Sequence, residues 1–576
     1  MTYNDLTTEK SGEMLKDIWQ NALNLWSPYV RLQHPIFCVT EVEEGEASLS
    51  GSFAMIRLAD LRVVVSLRQI KAFGLENYIF EILAHEIGHH VYCPADLTDL
   101  GRMLVRMRKG LPTVENQAPF IGNLYTDLLI NDRLFRQHGL PMQEIYLKVN
   151  QPTENLLWNF YMRIYEILWS LPRKTLTHIP ITDEMEADSH LCNRLIRNYG
   201  RDWIRGAGSF AVICLTYLLK DHNSRSQPNA RIWMDTLDAG QGQQMPVGIS
   251  SIDEDELTGI KHPAIRDTGQ KPKESLTQEG GSKGNFREPF EYLKVIKSMG
   301  ITLSDSDIII QYYRERALPY LIPFPKKKMP GSREPLPEGL ETWDVGDPLE
   351  NLNWLETVIQ SPVVVPGLTT IERVYGETQG SEPEKEPIDL DLYVDCSGSM
   401  PNPARNVSYL TLAAAIVSLS ALRSGSAVQA TLWSGANQFL TTNGFVRDQN
   451  QILHTMTGFF GGGTAFPLNM LRKTYEHRKA TDRKVHILVI SDDGVDTILQ
   501  KDELGNSGED LTKMALEKAG GGATFILNLY RSNWKQVPAL AKLNALGIEI
   551  ARIANWQDLI QFSRDFAKRK FGGSDE

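Results

Sequence analysis

The sequence predicts a multidomain chain: a mostly helical N-terminal α+β domain, a helical and proline-rich connector, and a C-terminal α/β domain with a doubly wound parallel sheet. Three observations predict it. The length of 576 residues exceeds what one hydrophobic core organises, at roughly 150 residues per domain. Residues 12–240 carry apolar side chains mostly at helical spacing, whereas 388–571 alternate short β-rich runs with helical runs. Polar, glycine-rich and proline-rich stretches at 245–287 and 376–387 interrupt these patterns.

Composition narrows the function classes. Hydrophobic residues at 42% and charged residues at 23% argue against disorder, collagen-like repeats and a multi-span membrane protein. The net charge of −11 repels phosphate backbones, and the one dense basic tract is Lys326-Lys327-Lys328, so no nucleic-acid partner is expected. Cys38, Cys93, Cys192, Cys214 and Cys396 are scattered, without a C-x-x-C pair, which fits a reducing compartment. The start lacks a signal-peptide pattern and the longest apolar run, 410–422, is too short to span a bilayer. A cytoplasmic address with no membrane association is expected.

In chain order, residues 1–245 form the first unit: a helix near 14–30, strands at 53–58 and 62–67, then helices to about 220. Residues 246–287, with Gly280-Gly281-Ser282-Lys283-Gly284, are expected to be a flexible linker. Residues 288–387 are the connector, with two helices in 290–317, an extended Pro-rich stretch at 318–325 and a loop-like run to 366. From 388 to 576, strands are expected at 388–394, 427–433, 438–446, 484–491, 523–530 and 548–553. Helices are expected at 405–423, 450–457, 467–479, 509–519, 534–546 and 555–571.

The strongest local signal is His85-Glu86-Ile87-Gly88-His89 on a helix. Two imidazoles four residues apart share one face and can bind one Zn²⁺, while Glu86 reaches a water beside the metal as general base. His90 is expected to be an ordinary helix residue. The preceding strands, 53–58 and 62–67, match the order found in zincin metallopeptidases, where an edge strand can pair with an extended peptide. A third ligand is needed, and two candidates compete. Glu184 in Asp183-Glu184-Met185-Glu186-Ala187-Asp188 is favoured, because Asp188 one turn on can hold a ligating histidine's second N–H. The motif resembles the E-x-x-A-D helix of gluzincin, HtpX-like and CAAX-processing peptidases. The rival is Asp127, with Asn123 and Asn131 on the same helical face. That segment is similar to the N-x-x-x-D-x-x-I-N run of bacterial metallopeptidase-like proteins fused to von Willebrand A domains. His262-Pro263 faintly resembles a downstream HtpX-like element but reads better as a loop histidine.

A second oxygen-rich constellation lies in the C-terminal domain. Ligands of parallel sheets sit at the carboxyl ends of strands, where Asp395-Cys396-Ser397-Gly398-Ser399 places Asp395, Ser397 and Ser399 together. Thr464 after Gly461-Gly462-Gly463, and Asp492 or its neighbour Asp493, offer further oxygens. Such donors suit a hard cation, Mg²⁺ or Mn²⁺. The set resembles the metal-ion-dependent adhesion site of von Willebrand factor A domains, and the resemblance covers 388–570. It implies binding of a partner's acidic residue through the metal.

The two halves together resemble bacterial metallopeptidase-like proteins that work beside MoxR-type AAA+ ATPases. The resemblance implies a zinc peptidase acting on polypeptide, with an adaptor domain that recruits the ATPase. The alternative is a non-catalytic adaptor of a remodelling or metal-insertion ATPase, whose N-terminal metal is structural.

Overall fold

The computed structural model describes residues 9–49, 52–224, 245–257, 286–321, 326–328, 333–379, 385–479, 482–529, 536–553, 555, 557, 558 and 562. Backbone contacts divide the chain into two units, one of residues 1–319 with 401–408 and one of 320–400 with 409–576. No helix among the described residues is long and apolar enough to cross a membrane.

Unit 1 opens with α1 (Glu9–Trp26), β1 (Ile36–Cys38), α2 (Glu41–Glu46), β2 (Ala54–Arg57), β3 (Arg62–Ser66) and α3 (Leu67–Ala72). The sheet order is β1-β3-β2, with β1 parallel and β2 antiparallel to β3, so β2 is an edge strand. Strand β1 is an addition to the two strands expected. Helices α4 (Ile79–Val91), α5 (Leu97–Gly110), α6 (Ala118–His138), α7 (Met142–Val149), α8 (Leu156–Leu168), α9 (Asp183–Asn198) and α10 (Trp203–Ser224) follow. Side-chain oxygens start several of them: Asp96, Asn155 and Thr182 each accept a first-turn N–H.

Close packing of α4 depends on a missing side chain. A Cβ on Gly88 would stand 2.7 Å from Ile130 of α6 and 2.8 Å from Trp26 of α1. The Trp26 indole also donates to the Ala84 carbonyl at 2.7 Å, clamping α1 to the same helix. The inner side of α4 therefore lies against the middle of α6.

The expected linker is anchored at the ends that are described. Residues 254–257 form a short helix, α11 (Glu254–Leu257), whose Glu256 is buried and takes two 2.8 Å bonds from the buried Arg287. Arg106 of α5 adds Asp253 and Asp255. A buried carboxylate persists only when paired in this way. Gly280–Gly284, and His262 with its proline, lie outside the described residues. Helices α12 (Pro289–Ser298) and α13 (Asp305–Ala317), expected in a separate connector, belong to unit 1. Tyr313 of α13 donates to the Pro403 carbonyl and accepts from Ser408 N–H, both at 3.1 Å, which places 401–408 with them.

Unit 2 begins with β4 (Lys326–Lys328), β5 (Arg333–Thr342), α14 (Trp354–Gln360), β6 (Ile371–Gln379) and β7 (Lys385–Pro387). Strand β4 pairs with β7, and β5 forms an antiparallel ribbon with β6, interrupted by a bulge between Pro337 and Gly339. This corrects the loop-like run of the expected connector: prolines are tolerated because each strand of a two-stranded ribbon has an open edge.

The rest alternates strand and helix as expected: β8 (Asp389–Asp395), α15 (Tyr409–Arg423), β9 (Val428–Trp433), β10 (Phe439–Thr441), α16 (Gln449–Met456), α17 (Leu468–Tyr475), β11 (Val485–Ser491), α18 (Gly508–Ala519), β12 (Gly520–Leu527), α19 (Pro538–Ala545) and β13 (Glu549–Arg552). The sheet order β10-β9-β8-β11-β12-β13 is parallel except for β10. Strand order reverses between β8 and β11, and the carboxyl ends of those two strands flank the crevice where such folds bind ligands. The expected helix at 555–571 lies largely outside the described residues.

Asp391 of β8 is fully buried and accepts from Tyr475 Oη at 2.9 Å and Gln429 Nε2 at 3.3 Å. Burial outweighs those bonds and pushes its carboxyl from 3.8 up to about 7. Between about 4 and about 7 the native state holds a proton that the unfolded chain has lost, so this group makes stability fall as pH rises through that window. Urea unfolding of unit 2 across that range is expected to show a shallower loss for Asp391→Asn than for the wild type; parallel slopes would contradict it.

Candidate metal centre

Helices α4 and α6 bring three donor atoms to one point. His85 Nε2 and His89 Nε2 stand 3.2 Å apart, and Asp127 Oδ1 lies 3.8 Å from the first and 3.5 Å from the second. His89 and Asp127 are buried, and His85 is nearly so. Among the described residues this is the one group of three histidine, cysteine or carboxylate side chains spaced to hold a metal ion.

The outer atoms of each side chain are also held. Asn131 Nδ2 donates to Tyr146 Oη at 3.0 Å and Tyr165 Oη at 2.9 Å, which turns its Oδ1 to accept from His85 Nδ1 at 2.7 Å. His89 Nδ1 donates to the Cys93 carbonyl at 3.2 Å, and Asn123 Nδ2 donates to Asp127 Oδ2 at 3.1 Å. With both Nδ1 atoms protonated, both Nε2 lone pairs face the Asp127 carboxylate. That arrangement suits a cation at the centre. Two nitrogens each about 2.0–2.1 Å from a tetrahedral zinc stand roughly 3.3 Å apart, close to the separation found. The residues present fit zinc.

Tyr146, Tyr161 and Tyr165 form one hydroxyl cluster behind Asn131, with Tyr165 Oη 3.0 Å from each of the other two. Burial raises all three phenols well above their ordinary range, so they remain neutral donors. The sequence reading missed this cluster. The spacing of Tyr161 and Tyr165, one helical turn apart, was its only sequence trace.

A cavity of about 40 Å³ is lined by His85 and Asp127 together with Glu86, Ala54 of β2, Phe53 and Tyr146 among others. Glu86 is buried. The side chain expected to act as base therefore shares a cavity with His85, with Asp127 and with the edge strand. His90 stands apart, its Nδ1 bonded to the Ala95 carbonyl at 3.0 Å.

The preference for Glu184 is corrected. Its side chain is 62% exposed and pairs with Lys220 of α10 at 3.2 Å, and Asp188 accepts from Tyr217 Oη at 2.8 Å. Helix α9 packs on α8 and α10, so its carboxylates face another neighbour than the histidines. Asp127, not Glu184, is the carboxylate that lies with the two histidines.

In unit 2 the carboxyl ends of β8 and β11 bring Asp395, Ser397, Ser399 and Asp492 together. Asp395 accepts from Ser397 N–H at 2.8 Å and from Ser491 Oγ at 2.6 Å. Ser397 Oγ lies 3.1 Å from Ser399 Oγ, which donates to Asp492 Oδ2 at 2.5 Å. Burial holds the Asp395 carboxyl above its ordinary range, and the charge of Asp492 adds to the rise. Thr464 lies against the same turn, its Cγ2 2.6 Å from where a Cβ on Gly494 would stand. The 461–464 loop is tied to the 395–400 loop by Gly398 N–H to the Gly462 carbonyl and Gly461 N–H to the Cys396 carbonyl. Of the adjacent aspartates, Asp492 faces the serines; the side chain of Asp493 lies outside the described residues. Ser491 is a member the sequence reading did not name. This all-oxygen donor set fits a hard cation.

Asp127→Ala is expected to strip the protein of tightly held transition metal, while Glu184→Ala retains wild-type content by elemental analysis. Full metal content in Asp127→Ala would contradict the geometry. Asn131→Leu should lower affinity on the order of 10–100-fold in chelator competition, because His85 loses its orienting acceptor.

No protein-family model matches the chain, and no curated protein matches it. Among solved structures, a von Willebrand factor type A protein from Catenulispora acidiphila is similar at 16% identity with a TM-score of 0.20. The match covers 33% of this chain and 44% of that one, and at that score it carries no argument about function.

Proposed function

We propose that the chain is a zinc-dependent metallopeptidase with a von Willebrand A domain that recruits a protein partner through bound Mg²⁺ or Mn²⁺. The observation that carries the first half is the convergence of His85, His89 and Asp127 beside Glu86 and an edge strand. Zinc, when bound, supplies a Lewis acid that lowers the pKa of a water and polarises a carbonyl. On this reading Glu86 would accept a water's proton and pass it to the departing amine. Asn131 and the Cys93 carbonyl keep both imidazoles in the tautomer that leaves Nε2 available.

Strand β2 supports polypeptide as the substrate class. Ser66 N–H donates to the Phe53 carbonyl, so by the alternation of an antiparallel ladder the N–H and C=O groups of Ala54 and Ile56 turn away from β3. Ala54 and Ile56 are buried, so on this reading an extended peptide would pair there once the edge is uncovered. For unit 2, the reversal of strand order at β8 and β11 and the oxygen cradle at their ends support the adaptor reading. The partner we propose is a MoxR-type AAA+ ATPase, on the resemblance of the two-part chain to bacterial proteins of that kind. Covalent tethering would raise the concentration of a delivered client around the peptidase unit.

A second reading, a non-catalytic adaptor with a structural metal, is favoured by the small cavity and by the full burial of His89. Glu86→Gln separates the two. On the peptidase reading it retains zinc and loses about 10²–10⁴-fold in hydrolysis of an unfolded polypeptide. A wild type that hydrolyses nothing, with partner function unchanged in Glu86→Gln, would sink that reading. Asp395→Ala is expected to abolish Mg²⁺-dependent partner binding and leave intrinsic hydrolysis intact; loss of both would contradict two separable sites.

A further inference from the structure

Helix α14, between the strands of the β5–β6 ribbon, is seated inside out. Its Thr357 is fully buried and accepts from Ile371 N–H at 2.9 Å, whereas Trp354, Leu355, Val358 and Ile359 are 59%, 67%, 55% and 68% exposed. Leu349 and Leu368, in the segments before and after the helix, are each 70% exposed. A helix that serves only its own domain turns its apolar stripe inward. The segment is nonetheless well held. Asn353 caps the helix, the buried Trp343 donates to the Pro348 carbonyl at 3.2 Å, and Thr370 Oγ1 donates to the Trp343 carbonyl at 2.8 Å. An exposed apolar helix face on an ordered frame marks an interaction site.

Charge selects the occupant. From 338 to 375 the sequence carries seven carboxylates and one basic residue, Arg373. Glu341, Asp344 and Glu350 are exposed, and Glu356 lies on the helix itself. A second copy would bring like charges face to face, and an anionic lipid surface would be repelled. We propose that this surface docks a partner's polypeptide segment that presents aliphatic or aromatic side chains flanked by lysine or arginine. The inference is independent of both metal sites.

The test uses the full chain and a fluorescein-labelled peptide of leucine and lysine at helical spacing, with a leucine and glutamate twin as control. Binding by anisotropy is expected for the basic peptide alone, weakening with salt. Leu355→Glu with Ile359→Glu should weaken it by at least about tenfold, and Glu350→Lys with Glu356→Lys by about fivefold. Circular dichroism should be unchanged, since both apolar side chains point outward; if the apolar variant misfolds, the charge variant decides. No binding of the basic peptide, equal binding of its acidic twin, or unchanged affinity in well-folded variants would overturn the proposal. So would a dimer in sedimentation that Leu355→Glu with Ile359→Glu dissolves, or phosphatidylserine-vesicle binding that the same change abolishes.

Discussion

Helix α4 lies close against α6 and α1 because position 88 carries no side chain. Ile130 and Trp26 occupy the space a Cβ would need. From that contact the rest of the N-terminal centre follows. His85 and His89 flank Gly88 on α4, Asp127 sits nearly one turn before Ile130 on α6, and Asn131 follows Ile130 directly. The glycine thus sets the distance between the two halves of a donor set whose members come from different helices. The hydroxyl cluster behind Asn131 and the carbonyl of Cys93 then fix which nitrogen of each ring faces inward. Packing brings the donors together, and hydrogen bonding orients them.

The C-terminal unit reaches an analogous result by topology rather than by a close contact. Strands β8 and β11 are neighbours where the sheet changes winding direction, so the loops after them diverge and leave a crevice. Asp395 ends β8 and Asp492 directly follows β11, and Ser399, paired with Ser397, donates across the gap to Asp492. Deeper on β8, Asp391 is held by Tyr475 and Gln429 in the core. One strand therefore carries a core carboxylate and a rim carboxylate on the same face, two periods of its alternation apart.

Much of this was legible from spacing. The i, i+4 histidines, the D-x-S-x-S loop, the glycine-flanked Thr464 and the strand and helix alternation after 388 are local patterns, and local patterns survive into the fold. The third member of the N-terminal centre was not legible, because Glu184 with Asp188 and Asn123 with Asp127 and Asn131 show the same helical spacing. Which carboxylate meets the histidines depends on which helix α4 packs against. Residues 245–257 read as part of a flexible linker because the stretch is polar with few large apolar residues, yet Arg106 and Arg287, distant in sequence, pair with its carboxylates. The β5–β6 ribbon hid behind Pro335, Pro337 and Gly339. Helix α14 reverses the usual inference altogether, since its apolar period points away from its own frame.

The central claim is that His85, His89 and Asp127 hold one zinc ion. Zinc-edge X-ray absorption of the full-length protein tests it most directly. The account predicts a shell of two imidazole nitrogens at about 2.0–2.1 Å with carboxylate oxygen at about 2.0–2.2 Å, and no sulfur. A sulfur shell at about 2.3 Å, or a single imidazole, would place the metal on other residues and contradict it.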